Sequence, residues 1–365
     1  MNDHQERIQY LDSSRGIAAL VVFISHFILV FFPSLNFSSI AHTPLHLIWD
    51  GSAAVMYFFI HSGFILCYRL EQRNFNLTLR SYLAFVGRRI FRIYPVFIFC
   101  LIMMYVAIRL NLFQQNPLSV ISFPLNEYWQ SSVSIMSVLK QALLLIRIPN
   151  EPVLRLLPQD WTLSIEIAIS LILPFLYLLR SQNAVWILVF VYLSVHFLSL
   201  DGFVFDFALG ISIVSIYPHF TLWWKSNSST FVKFIIVLFA ILFMSTDHIL
   251  PPKIFSILEL IFIHSKAWGC ALMMLILLSS VKLKKLFSYR FLTLQGKISY
   301  SLYLVHLPLL FIIYPLGSAL TFPGLILFLM VYVLGYFISF LLYTGIEMPM
   351  IRTGKNLSRK IFKIG

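Results

Sequence analysis

Residues 10–32 read YLDSSRGIAALVVFISHFILVFF. An acid and a base, Asp12 and Arg15, open the stretch, and the apolar run that follows holds one titratable side chain, His26. The run is long enough to cross a bilayer as a helix. Eleven helical steps of about 100° return His26 to within about 20° of Arg15, so Asp12, Arg15, Val22 and His26 share one face. At about 1.5 Å per residue His26 lies about 16 Å beyond Arg15, near the middle of a hydrocarbon core about 30 Å thick. An ionisable group at that depth is costly and points to a functional site. The competing reading is a pore-facing histidine satisfied by a neighbouring helix. Phe31, Phe32 and Pro33 follow the run where a signal peptide would carry small residues, so it reads as a retained first span.

The remainder of the chain has the same character. Of its 365 residues 59% are hydrophobic and 11% charged, against roughly 25% charged in a soluble domain, and the mean hydropathy is +0.87. This composition predicts an all-α, polytopic membrane protein. Apolar runs predict ten spans, near 15–33, 52–70, 91–112, 161–179, 184–200, 203–219, 231–247, 255–280, 297–316 and 323–346. Asp206 interrupts the sixth. The segment 113–160 is too polar to cross, and it holds room for a short interfacial helix around Ser131–Ile146. The net charge of +13 reads as topology and gives no reason to expect nucleic acid. With the N-terminus in the cytoplasm, all but six of the 27 lysines and arginines fall in inside segments, the six being Arg109, Lys140, Arg147, Arg155, Lys253 and Lys266. The positive-inside bias therefore places both termini in the cytoplasm. Residues 1–365 read as one transmembrane domain with no appended soluble domain.

Other polar residues in apolar surroundings are the remaining candidates. His61 sits near mid-depth of the second span beside Ser62-Gly63, a pair that permits close helix approach. Arg88, Arg89 and Arg92 cluster where a cytoplasmic loop enters the third span. They read either as a positive-inside anchor snorkelling to lipid phosphates or as a bidentate clamp for a phosphorylated cytosolic ligand, Arg89 and Arg92 sharing a face. The fourth span opens PQDWTLSIEI, where Asp160 can cap the helix and Glu166 lies about 9 Å from its outer end. The depths of Glu166 and His26 differ by only about 5 Å, so a carboxylate–imidazole pair is expected there. His306 enters the ninth span about 14 Å beyond Lys297, with Ser299, Tyr300, Ser301 and Tyr303 along the approach. Glu347, before Pro349, closes the tenth span and by location would neutralise Arg352. Cys67, Cys100 and Cys270 have no metal or disulfide spacing and read as reduced packing residues. The sequence carries no P-loop, dinucleotide motif, HExxH or internal repeat.

Taken in order, LDSSRGIAALVVFISH, FFIHSGF, RRIFRIYP, WTLSIEI, GKISYSLYLVHLP and IEMP resemble membrane acyltransferase family 3. This family comprises bacterial integral-membrane O-acetyltransferases of envelope and exported carbohydrates. The resemblance implies an acyl donor such as acetyl-CoA on the cytosolic side, used as a co-substrate with no tightly bound cofactor. It also implies an acceptor hydroxyl on a carbohydrate or glycolipid, and a multi-pass location in the inner membrane. The family's Arg-x10-His pair falls on Arg15 and His26, its Arg-x-x-Arg motif on Arg89 and Arg92, its tryptophan-to-glutamate motif on Trp161 and Glu166, and its late glutamate on Glu347. His61 departs from the pattern, which has an apolar or small residue there.

An alcohol attacks a thioester only when a base takes its proton. His26 is assigned as that base, with Glu166 holding the imidazole. Arg89 and Arg92, assisted by Arg88, are assigned to the donor phosphates, Glu347 is placed in the same donor-binding set, and Arg15 is assigned either to the same task or to locking the first helix through Asp12. Asp12, His61, Ser62, Trp161, Ser299, Tyr300 and His306 are expected to line the substrate pocket, and no metal is expected. A secondary transporter would also use mid-membrane His and Glu in a proton relay. A non-catalytic polysaccharide-export component is the other alternative.

Overall fold

A computed structural model describes residues 8–110, 112, 133–144, 156–179, 191–192, 202–251, 253–254, 264–319 and 324–362. Among the described residues the secondary structure is helical, with no strand. Seven helices among the described residues are long and apolar enough to cross a membrane. Two shorter apolar helices, Thr230–Met244 and Ser265–Ser279, fall on the spans expected at 231–247 and 255–280. The span expected at 184–200 lies outside the described residues apart from 191–192. The protein is therefore an all-helical, multi-pass membrane protein.

The chain divides into two compact units, Met1–Val22 with Phe37–Asn76 and Ile172–Lys297, and Phe23–Asn36 with Leu77–Leu171 and Ile298–Gly365. Helix α1 (Gln9–Phe31) gives its first half to one unit and its second half to the other.

In the first unit, α2 (Gly51–Gln72) packs on α6 (Phe203–Ser226), and α8 (Ser265–Ser279) on α7 (Thr230–Met244). Glycine sets the first of these contacts. A Cβ on Gly63 would stand 2.3 Å from the Phe207 carbonyl oxygen, and one on Gly210 would stand 2.1 Å from that of Ile60. The sequence expectation for Ser62-Gly63 is met by Gly63: the backbones touch because neither helix has a side chain at the crossing. Gly16 and Gly296 do the same where α1 meets the first turns of α10 (Arg290–Ala319), which follows the short α9 (Val281–Phe287).

Lys266 is a lysine inside the span expected at 255–280, and the structure gives it partners. Asp50 precedes α2 and caps it by accepting from Ala53 N at 3.0 Å. Lys266 Nζ lies 2.8 Å from Asp50 Oδ2, 2.5 Å from Asp247 Oδ2 and 2.7 Å from Ser52 Oγ. His248 Nε2 approaches Asp50 Oδ2 at 3.0 Å. Asp50, Asp247 and His248 each bring a possible metal-ligand atom within 4.8 Å of the others, but the ammonium of Lys266 already contacts both carboxylates.

The second unit holds the residues that matter most below. Helix α3 (Leu79–Arg109) starts at a capping box, with Ser81 N donating to Thr78 Oγ1 at 3.2 Å and Thr78 N to Ser81 Oγ at 2.8 Å. Helix α4 (Ile135–Ala142) exposes Ile135, Met136 and Leu139 along one side. A helix therefore lies within the segment 131–146 where a short one was expected; residues 131–132 and 145–146 lie outside the described residues. Helix α5 (Asp160–Leu179) meets α3 through Tyr82, whose hydroxyl donates to the Leu171 carbonyl at 3.2 Å. Phe99, Ile102, Met103 and Val106 on α3, and Leu325, Leu329, Met330 and Val333 on α11 (Gly324–Leu342), are exposed. Such outward apolar stripes are what hydrocarbon would cover.

One boundary needs correction. Pro349 does not close the last span. A π-helical turn, Tyr343–Glu347, leads into a further helix, α12 (Met348–Phe362). The wider turn accommodates the proline without breaking the rod. Helix α12 packs along α3, with Gly354 against Phe91 and Ser358 Oγ donating to the Ala84 carbonyl at 3.3 Å.

Candidate active site

The centre of the second unit is a pair of imidazoles. His26 on α1 is half-buried and His306 on α10 is buried. His306 Nε2 lies 3.1 Å from His26 Nδ1, and His306 Nδ1 lies 2.7 Å from the Tyr303 carbonyl oxygen one turn back. The rings are inclined at 50°, with centroids 4.9 Å apart. Phe23, Phe328 and Tyr332 form the aromatic wall beside them.

The segment that carries His306 is held from outside its own helix. Pro308 has no N–H, so the Leu304 carbonyl four residues earlier lacks its helical donor. Gln159 Nε2 takes that place at 2.8 Å and also donates to Tyr303 O at 3.3 Å. Tyr303 Oη and Thr162 Oγ1 are 2.9 Å apart. Gln141 ties the same region down, donating to Asp160 and accepting from Leu156 N at 2.9 Å. Of these, Gln159, Thr162 and Gln141 escaped the sequence reading. The signal for Gln159 was Pro308, whose orphaned carbonyl demanded a donor.

A second polar cluster joins α3 to α5 and to the π turn. Arg89 Nη2 donates to Glu166 Oε1 at 2.5 Å and its Nε to Ser170 Oγ at 3.1 Å. Arg92 Nη1 donates to Glu347 Oε1 at 3.0 Å, and Ser301 Oγ donates to Glu347 Oε2 at 2.8 Å. The Glu347 side chain is fully buried and that of Arg92 is partly exposed. Tyr300 Oη donates to the Ile93 carbonyl at 2.6 Å. Arg89 and Ser170 also line a cleft of about 180 Å³ that is otherwise walled by Phe85, Val86, Ile90, Tyr94, Ile167 and Leu171.

Two expected pairings are thereby replaced. Glu166 was expected to hold the His26 imidazole, but its carboxylate faces Arg89 and the ring meets His306 instead. Glu347 was expected to neutralise Arg352, and it takes Arg92. Depth along a helix was the only guide to both, and it carries no information about azimuth between helices.

The other expected residues are placed as follows. Arg88 lies on α3, partly buried; Trp161 is in the first turn of α5; Ser299 is buried on α10. Asp12, Arg15, His61 and Ser62 belong to the first unit. There Arg15 Nη2 donates to the Gly296 carbonyl at 3.1 Å and stands 3.9 Å from Asp12 Oδ1. Buried His61 presents Nε2 to the Leu11 carbonyl at 3.1 Å. These contacts suit a helix-locking role for Arg15.

A family model described as an acyltransferase domain matches residues 8–344, nearly the whole chain. The chain belongs to acyltransferase family 3. No curated protein and no solved structure matches it. With its membrane-spanning helices, the chain is a membrane acyltransferase. The match runs from α1 to Thr344 of the π turn; Glu347 and α12 lie beyond it. Within this acyltransferase two imidazoles meet, and two guanidinium groups are each held by a glutamate.

Proposed function

We propose that this acyltransferase moves an acyl group, acetyl, from cytosolic acyl-CoA to a hydroxyl of a carbohydrate or glycolipid at the inner membrane. The observation that carries this reading is the His26–His306 contact, an imidazole base held by a second imidazole in a family of acyl-transfer enzymes. As the acceptor oxygen attacks the thioester carbonyl carbon, its O–H bond breaks and the proton goes to His26. The tetrahedral intermediate then collapses with cleavage of the C–S bond. The departing sulfur takes the proton back from the imidazolium, giving an ester and a thiol. Arg89 and Arg92 would hold donor phosphates. A guanidinium has five N–H donors, so the contacts to Glu166, Ser170 and Glu347 leave others to engage a phosphate while the carboxylates fix its orientation. The test is incubation of the purified protein with labelled acetyl-CoA and candidate glycans; absence of both thiol release and labelled ester would overturn the reading.

Arg89→Ala and Arg92→Ala are expected to weaken acyl-CoA binding, each by about 1.5–3 kcal/mol for a lost charge-assisted contact. Calorimetry on protein of normal expression and monodispersity measures this. Wild-type affinity in both variants would reduce the arginines to anchors.

The distribution of basic residues supports cytoplasmic termini. In intact cells an impermeant thiol reagent should miss Asn76→Cys and Lys360→Cys and label Lys253→Cys. All three sites are exposed, and the native Cys67, Cys100 and Cys270 are buried. The opposite labelling pattern would invert the topology.

A further inference from the structure

We infer that His306 is a positioning residue that fixes the tautomer of His26, leaving the lone pair of His26 on Nε2. The inference rests on the acyl-transfer reading for its purpose, but its structural content stands on two hydrogen bonds. A backbone carbonyl can only accept, so the 2.7 Å contact with Tyr303 O requires the proton of neutral His306 to sit on Nδ1. Nε2 of the same ring is then an acceptor. The atom facing it at 3.1 Å, His26 Nδ1, must be the donor. One neutral imidazole carries one N–H, so His26 is protonated at Nδ1 and presents its lone pair at Nε2. The direction of the chain is set by the carbonyl at its end and does not depend on which substrate binds.

This order has a chemical use. A general base works only in the tautomer whose lone pair meets the hydroxyl proton. When His26 accepts that proton at Nε2, the new positive charge is shared with a ring whose acceptor nitrogen is already in contact. Pro308 and Gln159 strengthen the device, because the carbonyl that sets the direction also accepts from the Gln159 amide, just before α5.

The test uses full-length protein labelled with 15N-histidine in lipid bilayers, with the His26 signals assigned by difference against His26→Gln. In the wild type His26 should show a protonated Nδ1 and an unprotonated Nε2. In His306→Leu that single form should give way to a mixture. A proton on Nε2 in the wild type, or an unchanged His26 spectrum in His306→Leu, overturns the inference, and neither result requires turnover. In the transfer assay His306→Leu should lower kcat by roughly 10²–10⁴-fold, the scale of a lost base in the right form, with acyl-CoA binding unchanged. His306→Gln should recover at least tenfold of that loss, because its amide oxygen can accept from His26 Nδ1. Equal inactivity of Leu and Gln variants that elute and melt like wild type also overturns the inference, since a proton would then have to pass through His306. A wild type with the expected spectrum but no transfer to any hydroxyl would defeat the acyl-transfer reading and leave the tautomer assignment standing.

Discussion

His26→Gln lowers acyl transfer by roughly 10²–10⁴-fold, the usual contribution of a general base, while the protein still inserts and binds acyl-CoA. Glutamine keeps part of the volume and an amide N–H that can donate to His306 Nε2, the contact that His26 makes at 3.1 Å. The variant therefore loses basicity and little packing. Because His26 is only half-buried, no large cavity follows. The measurement is turnover with labelled acetyl-CoA alongside donor affinity. Retention of more than half the wild-type turnover would remove His26 from the chemistry, and inactivity of His306→Gln in the same experiment would move the base to α10.

Lys266→Met destabilises the first unit by about 3–5 kcal/mol, the cost of leaving one partner of a buried ion pair uncompensated. The stranded group is Asp50, 3% exposed, which Lys266 meets at 2.8 Å. Replacing both partners, Asp50→Asn with Lys266→Met, should recover most of the loss: neither charge of the pair remains, and asparagine still caps α2. A single variant as stable as wild type in thermal or denaturant unfolding would contradict this. Acid offers an independent check. Burial raises the pKa of Asp50, but the hydrogen bond from His248 and the ammonium of Lys266 outweigh it and hold the carboxyl well below the usual carboxylate range. A depressed folded-state pKa stabilises above the unfolded value, near 3.9, and that stability is lost as pH falls below it. Wild type should weaken below about pH 4, and Asp50→Asn should flatten that slope.

The helices were legible because membrane spans advertise themselves by length and apolarity. The positions of Gln9–Phe31, Gly51–Gln72 and Phe203–Ser226 follow from runs that water cannot host. The close approach at Gly63 was legible for the same local reason. Partnerships were not. His26 and Glu166 come to similar depths, yet which neighbour each meets depends on how the helices turn about their axes, and a single sequence does not encode that in any short window. Asp50 with Lys266, residues 216 apart in the chain but joined in the fold, shows the limit plainly. The continuation of the last helix past Pro349 was missed because proline was read as a stop, whereas a π turn absorbs it.

The carbonyl freed by Pro308 has a mechanical consequence. A helix with a complete ladder could slide or rotate against its neighbours at the cost of side-chain contacts alone. Here the backbone of α10 at Leu304 borrows a donor from Gln159, which immediately precedes α5. The two helices are thereby keyed in register at the level of the main chain, as cog and pawl are. Any sequence change that shifts the start of α5 by even one residue would rotate Gln159 away and be felt two residues short of His306, without touching either histidine.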